Sequence, residues 1–327
     1  MKIDAVITWV DGNDSVHREK RNRYSDPSSL KLDDVAGDTR FVEVGEIAWC
    51  VASLNRFAPW INKIYIVTDS QDPNLQPFID REFPDGHIPM EIVDHKVIFR
   101  GYEDYLPTFN ASAIETMTWR IPGLSDHFIE LNDDMILCAP VAPSDFFTDD
   151  GKSVCYAEKA NIPWTIFTRM LKPERKGHKR VTFKGVMCNA ALMAGRRWSY
   201  LKINHTPRGL RRDVYESYYA ENHDAVIRNI QYRFRHHNMY TAEVLQYSLL
   251  EDARRCLRIP YGDVLFFYQP QGKRTYFTRK MHHLKNFKGK FACFNSMDQA
   301  SAEELRQIVS WIEDRLKINF KSGHDRD

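Results

Sequence analysis

No stretch of this sequence approaches the run of about eighteen uncharged apolar residues that a membrane-spanning helix needs. The opening MKIDAVITWV places Asp4 inside the run where a secretory signal would be uninterrupted, so the expectation is a chain that starts at Met1 and works in the cytoplasm. Cysteine is scarce: Cys50, Cys138, Cys155, Cys188, Cys256 and Cys293 are scattered with no CxxC pair. That spacing argues against both a disulfide framework and a thiolate zinc site, and leaves reduced, mostly buried thiols as the expectation. Internal repeats, low-complexity tracts and flexible linkers are also missing. There is no zinc-finger spacing and no RRM-type aromatic signature, which argues against nucleic acid as a partner.

What the chain does have is length enough for a sizeable core: 327 residues, 43% of them apolar. Its net charge of +2 conceals an uneven distribution. The stretch 169–235 holds RKGHKR (175–180), Arg196, Arg197, Arg208, Arg211, Arg212, Arg228 and Arg233. Either this is a solvated basic face, or it guides an anionic acceptor chain or lies against anionic lipid at the inner face of the cytoplasmic membrane.

Four short β-branched or apolar runs each end in a polar cluster: 3–10 in Asp11-Gly12, 63–69 in Thr68-Asp69, 90–95 in Asp94-His95, and 127–134 in Asn132-Asp133-Asp134. Helical periodicity lies between them at 43–57, 74–82 and 108–120, with Pro59 and Pro122 as stops. Alternating strands and helices predict a mainly parallel α/β sheet, and ligands bind such sheets at the carboxyl ends of the strands, where all four clusters fall. One such carboxylate is ordinarily a cap or turn residue. Four, with Asp133-Asp134 contiguous, suit a site that neutralises a diphosphate through a hard divalent cation. Beyond residue 150 the alternation fades; 207–225, 239–257 and 302–320 read as helices, 262–268 and 274–278 as short strands or loops.

These residues carry a resemblance. IDAVITWVDGND (3–14), RFAPWINKIYIVTDSQDPNL (56–75), LPTFNASAIE (106–115) with IPGLSDHFIELNDDMIL (121–137), and KFACFNSMD (290–298) resemble, in order, the blocks of the Stealth phosphotransferases. His205-Thr206-Pro207 and Arg235-His236-His237 stand thirty residues apart, as the matching His and Arg do in the related lysosomal-enzyme N-acetylglucosamine-1-phosphotransferase. The resemblance implies transfer of a hexose-1-phosphate from a UDP-sugar to an acceptor hydroxyl on a glycan or phosphodiester polymer, with UMP released and Mg²⁺ or Mn²⁺ required. The process implied is capsule or cell-surface polysaccharide synthesis. The fold it implies is an α/β core resembling a GT-A or Rossmann-like nucleotide-sugar fold over residues 1–150, with a mainly helical part over 151–327 packed on it.

Carried over residue by residue, Asp133, Asp134, His205 and Arg235 are the expected catalytic set. Trp9, Asp11, Gly12, Asp69 and Asn110 are the expected donor-binding residues, and Asp134, Asn295 and Asp298 the metal ligands. A histidine, whose ordinary pKa is about 6.5, is one candidate to accept the acceptor's proton; Asp133 or Asp134 is the other. Arginine grips phosphate in a planar fork that lysine lacks. Each residue also has a plain reading: His205 before a helix starting at Pro207, Arg235 as a surface cation, Trp9 as core. His236-His237 and His282-His283 read as second-sphere or structural residues, since adjacent histidines on a regular element rarely reach one ion.

The chain also departs from the family. EIAWCVAS (46–53) has Ala48 and Ala52 where many members carry arginines, so either those arginines are structural or their charge is supplied elsewhere, with Arg40 and Arg56 as candidates; Ser296 replaces an acidic residue after Asn295. Two other functions fit some of these features: a metal-dependent GT-A glycosyltransferase releasing UDP, and a non-catalytic binder of anionic glycans.

Overall fold

The computed structural model describes residues 1–25, 45–171, 181–250, 264–268 and 274–320. Along the chain come β1 (Ile3–Thr8), α1 (Ser15–Tyr24), α2 (Glu46–Phe57), β2 (Ile64–Thr68), α3 (Gln76–Glu82), β3 (Met90–Asp94), α4 (His95–Ile98) and α5 (Ala111–Glu115). Then follow β4 (His127–Asn132), β5 (Met135–Leu137), β6 (Ala157–Asn161), α6 (Ile162–Met170), α7 (Phe183–Met193), β7 (Ser199–Ile203) and β8 (Arg208–Arg211). Last are α8 (Arg212–Glu221), α9 (His223–Ile230), α10 (Ala242–Leu249), β9 (Val264–Tyr268), α11 (Arg274–Lys285), β10 (Phe291–Asn295) and α12 (Ala302–Leu316).

The main sheet runs β3-β2-β1-β4-β8. β1 pairs in parallel with β2 and β4, β2 with β3, and only β8 is antiparallel, against β4. The expected mainly parallel α/β sheet is therefore present. β1 is buried along its whole length because helices and loops cover both faces, which explains why it reads as continuous apolar residues rather than alternation. Val6, Val67 and Phe128 enter one apolar cluster, Ile7, Ile66 and Leu131 the opposite one. The exception in β1, Asp4, is fully buried and satisfied: Asn62 Nδ2 and the Ser125 backbone N–H donate to its two carboxylate oxygens, each at 2.7 Å.

A second sheet, β5-β10-β9, and the β6-β7 pair complete the strands described. α12 begins with a capping box between Ser301 and Glu304 and buries Ile308, Ile312 and Leu316, each worth about 1.5–3 kcal/mol of burial. No helix among the described residues is long and apolar enough to cross a membrane.

Three expectations need correcting. Residues 208–211 form an edge strand instead of starting a helix, because Arg208 to Arg211 complete the open side of β4. The 108–120 helix shrinks to α5 and one 3-10 turn at Thr118–Arg120. Residues 274–278 open helix α11. RKGHKR at 175–180, Cys256, Arg40, residues 251–257 of the expected 239–257 helix and 262–263 of the expected 262–268 strand lie outside the described residues; the other five cysteines are free and buried.

Candidate active site

The carboxyl ends of β1, β3 and β4 open into one cavity of about 770 Å³. Thr8 and Trp9 reach it from β1, His95 from β3 and Asn132 from β4, as the strand-end rule requires. Asp133 and Asp134 form the turn by which the chain leaves the main sheet for β5, and both line the cavity. The second sheet then holds Asp134 from behind. Cys293 Sγ and Asn295 Nδ2, both on β10, donate to its Oδ2 at 3.3 and 3.1 Å, and its own carbonyl accepts from Phe294 N–H at 2.8 Å. Asp134 Oδ1 is buried without a protein partner. Ser296, next along, adopts a left-handed conformation with φ +60°, a strained arrangement for a non-glycine residue that keeps Asn295 and Asp298 on the cavity wall.

His205 lies in the turn between β7 and β8, stacked on Phe183 with ring centroids 5.2 Å apart. It starts no helix, since the chain enters β8 at Arg208. Burial pushes its pKa below the ordinary value, with Asp134 pulling the other way and Arg208 and Arg235 reinforcing the fall. The balance of these effects favours the neutral imidazole. Arg235 is exposed to the cavity from the loop after α9, close enough to Asp134 and Glu115 to feel both charges. That loop is held by asparagines. Asn110 Nδ2 donates to the carbonyls of Tyr232 (2.9 Å) and Phe234 (3.2 Å), and Asn189 Nδ2 to those of His237 (3.0 Å) and Met239 (2.6 Å). Arg233 ties its other side to the carbonyls of Tyr105 and Pro107.

Of the expected residues, the cavity brings together Trp9, Asn110, Asp133, Asp134, His205, Arg235, Asn295 and Asp298. Asp11, Gly12 and Asp69 are not on its lining. Asp11 makes a turn with the Asn13 N–H at 2.8 Å and Asp69 an ion pair with Lys20 at 2.7 Å, so both have local partners near the sheet edge. Asn110 lines the wall, but its amide donors go to the Arg235 loop. Arg56 is not a source of site charge: its guanidinium donates to the Leu316 and Lys317 carbonyls at the end of α12. Ala48 and Ala52 are buried in the core.

The sequence reading missed a buried charge cluster in the wall of this cavity, which Glu115, Arg208 and Glu243 line. Glu115, Glu130, Glu243 and Arg208 are each at most 6% exposed, three carboxylates around one guanidinium. Arg208 pairs with Glu243 at 3.4 Å and donates to Asn132 Oδ1 at 3.3 Å. Burial raises the Glu115 carboxyl to about 7 and Glu130 well above the carboxylate range, with Glu243 repelling both. A signal was available: Glu130 sits mid-strand in HFIELN among apolar residues, where a carboxylate needs a buried partner. His17 was likewise missed, whereas His95 belongs to the expected strand-end cluster Asp94-His95; both line the cavity, and burial lowers His95 to about 4.

A hard divalent cation fits the Asp134 end. The buried, unpartnered Oδ1, the adjacent Asp133, and Asn295 and Asp298 supply oxygen atoms. No set of three or more His, Cys, Asp or Glu is gathered as a metal site among the described residues. Mg²⁺ does not require one, because it is held by one or two carboxylates with waters and phosphate oxygens completing its shell.

Comparison with known proteins follows the same residues. The family model for Stealth protein CR1, conserved region 1, matches residues 1–28, and that for CR2, conserved region 2, matches 40–155. An exopolysaccharide phosphotransferase cps2G of Lactiplantibacillus plantarum is 33% identical over 279 residues, covering 79% of this chain and 78% of that one. A capsular polysaccharide phosphotransferase WcwK of Streptococcus pneumoniae is 43% identical over 150 residues, which is 46% of this chain and 42% of the relative. The chain thus aligns with about two fifths of the length of the streptococcal relatives. Among solved structures, the galactosyltransferase LgtC with donor and acceptor sugar analogs aligns over 99% of both chains at 10% identity and a TM-score of 0.45. Mouse xyloside xylosyltransferase 1 aligns over 92% of this chain and 100% of that one, at 11% identity and a TM-score of 0.44.

Proposed function

The chain belongs to the Stealth family, and from that premise we propose that it transfers a hexose-1-phosphate from a UDP-sugar to an acceptor hydroxyl in capsule or exopolysaccharide synthesis. The observation that carries this reading is the meeting of Asp133, Asp134, His205 and Arg235 in one cavity, from segments far apart in sequence. The sugar is an N-acetylhexosamine in the family member with the matching His and Arg, which makes UDP-N-acetylhexosamines the first donors to test.

In this reaction the acceptor oxygen bonds to the β-phosphorus of the donor, and the bond from that phosphorus to the bridging oxygen breaks. UMP departs with the bridging oxygen. The acceptor proton passes to the neutral His205 imidazole, whose lowered pKa favours the unprotonated form. Asp133 is the other residue suited to take it. Arg235 faces the spreading negative charge on the phosphoryl oxygens, where its fork grips two at once. Arg208, in the cavity wall, adds positive potential without leaving its carboxylates. Trp9, His17 and Phe109 also line the cavity, and their flat rings suit a nucleobase. Mg²⁺ or Mn²⁺ held by Asp134, with Asp133, Asn295 and Asp298 at hand, would neutralise the diphosphate.

The test is the product. Incubation with UDP-N-acetylhexosamines and a polysaccharide acceptor should release UMP, and ³¹P NMR should show a phosphodiester in the polymer. Stoichiometric UDP with no phosphorus in the acceptor would mean attack at the sugar carbon, and a glycosyltransferase instead.

A further inference from the structure

Helix α6 turns its apolar side to solvent. Ile162 and Thr165 face inward, whereas Trp164 (64% exposed), Phe167 (50%), Met170 (79%) and the following Leu171 (67%) face outward. Positions 164, 167 and 171 recur at helical spacing, so these side chains form one continuous face. The rings of Trp164 and Phe167 lie 5.7 Å apart. Trp198, 77% exposed, joins them, because its carbonyl accepts from the Ile162 N–H at 3.0 Å at the first turn of α6. A single exposed apolar residue needs no explanation; two tryptophans with three more large apolar side chains do.

The surroundings are cationic. Lys159, Lys184 and Arg197 are exposed nearby in the chain, and the neighbouring carboxylate of Glu158 is already paired with Lys202 at 3.2 Å.

We propose that this face docks on the surface of an anionic lipid bilayer, with Trp164, Phe167 and Trp198 at the head-group level and the cations against lipid phosphates. Tryptophan at an interface, an outward apolar helix face and flanking basic residues are the elements by which a helix lies on a membrane without crossing it. The face also has a fixed relation to the cavity. Arg169 on α6 donates to Asn189 Oδ1 on α7 at 3.1 Å, and Phe183, at the start of α7, lines the cavity and stacks on His205. The lobe that meets lipid is therefore also a wall of the site, and membrane-tethered acceptors would arrive beside it; this last step alone rests on the function proposed above.

Sedimentation with vesicles decides it. The protein should pellet with phosphatidylcholine vesicles containing about 30% phosphatidylglycerol, remain in solution with phosphatidylcholine alone, and dissociate as salt rises. Trp164→Ser with Phe167→Ser, and separately Trp198→Ser, should weaken partitioning about tenfold, because each removes interfacial apolar area. Lys184→Glu with Arg197→Glu should weaken it while leaving Trp fluorescence and melting temperature unchanged. UMP release with a soluble acceptor should be unaltered in all of them. Wild-type protein that ignores anionic vesicles at low salt, or variants that bind as well as wild type, would overturn the proposal. So would a dimer in light scattering that Trp164→Ser with Phe167→Ser turns into a monomer, since the face would then join two copies. Vesicle binding is read without turnover, so UDP release in place of UMP would defeat the proposed reaction and leave this result standing.

Discussion

Asn295 donates a hydrogen bond from Nδ2 to Asp134 Oδ2 at 3.1 Å, tying the end of β10 to the turn after β4 across 161 positions of sequence. The bond fixes which oxygen of Asp134 faces the cavity, since Oδ2 is already occupied by Asn295 and Cys293 and Oδ1 is left over. Asn295→Ala should release the carboxylate and lower kcat about 10- to 100-fold, the usual effect of losing a residue that orients a ligand. Asn295→Asp places a second carboxylate beside the first; its defect should ease as Mg²⁺ is raised, whereas that of Asn295→Ala should not. Steady-state rates across a Mg²⁺ series would separate the two.

Chelation gives a broader test of the same carboxylate. Donor turnover should stop in EDTA and return with Mg²⁺ or Mn²⁺, and Asp134→Asn should need much more metal for half-activity. Full turnover of wild-type protein in chelator would remove the metal from the reaction.

Glu115 and His205 make opposite predictions about pH. Glu115 is buried with its folded pKa raised to about 7 from an ordinary 4.5, so the folded state holds a proton that the unfolded state gives up. Its contribution is full below about 4.5 and is lost as pH rises through 7. Glu115→Gln should therefore be more stable than wild type at pH 8, on the order of 2 kcal/mol, and show no such gain at pH 4.5. Urea melts at the two pH values would read it. His205 is lowered, so its neutral form persists below 6.5; the acid limb of kcat/KM should fall below that value and vanish in His205→Ala if the imidazole takes the proton. A limb that survives in His205→Ala would assign the base to Asp133 or Asp134.

The parts of this picture legible in the sequence are those with a local cause. β1, β2, β3 and β4 lie where the apolar runs end in Asp or Asn, because strand propensity and turn chemistry are read within a few residues. The helix expected from Pro207 failed for the complementary reason: Arg208–Arg211 are a strand only because β4 has a free edge, a fact located eighty residues away. Resemblance supplied Asp134, His205 and Arg235, but not how they are held. Nothing local announces that Asn110 supports residues 232–239, or that Glu115, Glu130 and Glu243 share Arg208. Those are tertiary pairings of ordinary polar residues. A carboxylate in an apolar strand, as at Glu130, was the one visible hint.

Arg235 and Asn110 permit a test that separates contact with the substrate from support of the contact. Arg235→Lys retains the charge and loses the fork, and should cost about 2–4 kcal/mol of transition-state stabilisation with KM less affected. Asn110→Ala leaves Arg235 intact but removes the donors to the Tyr232 and Phe234 carbonyls, leaving those loop carbonyls to find other partners. It should lower melting temperature as well as kcat, with a destabilisation of about 1–3 kcal/mol. Exogenous guanidinium tells the two apart. In Arg235→Ala the added cation can occupy the vacated place and restore part of the rate; in Asn110→Ala the place is still filled by a misdirected Arg235, and guanidinium should do nothing. Rescue of both variants, or of neither, would mean that Arg235 does not act on the phosphoryl group through its side chain as proposed.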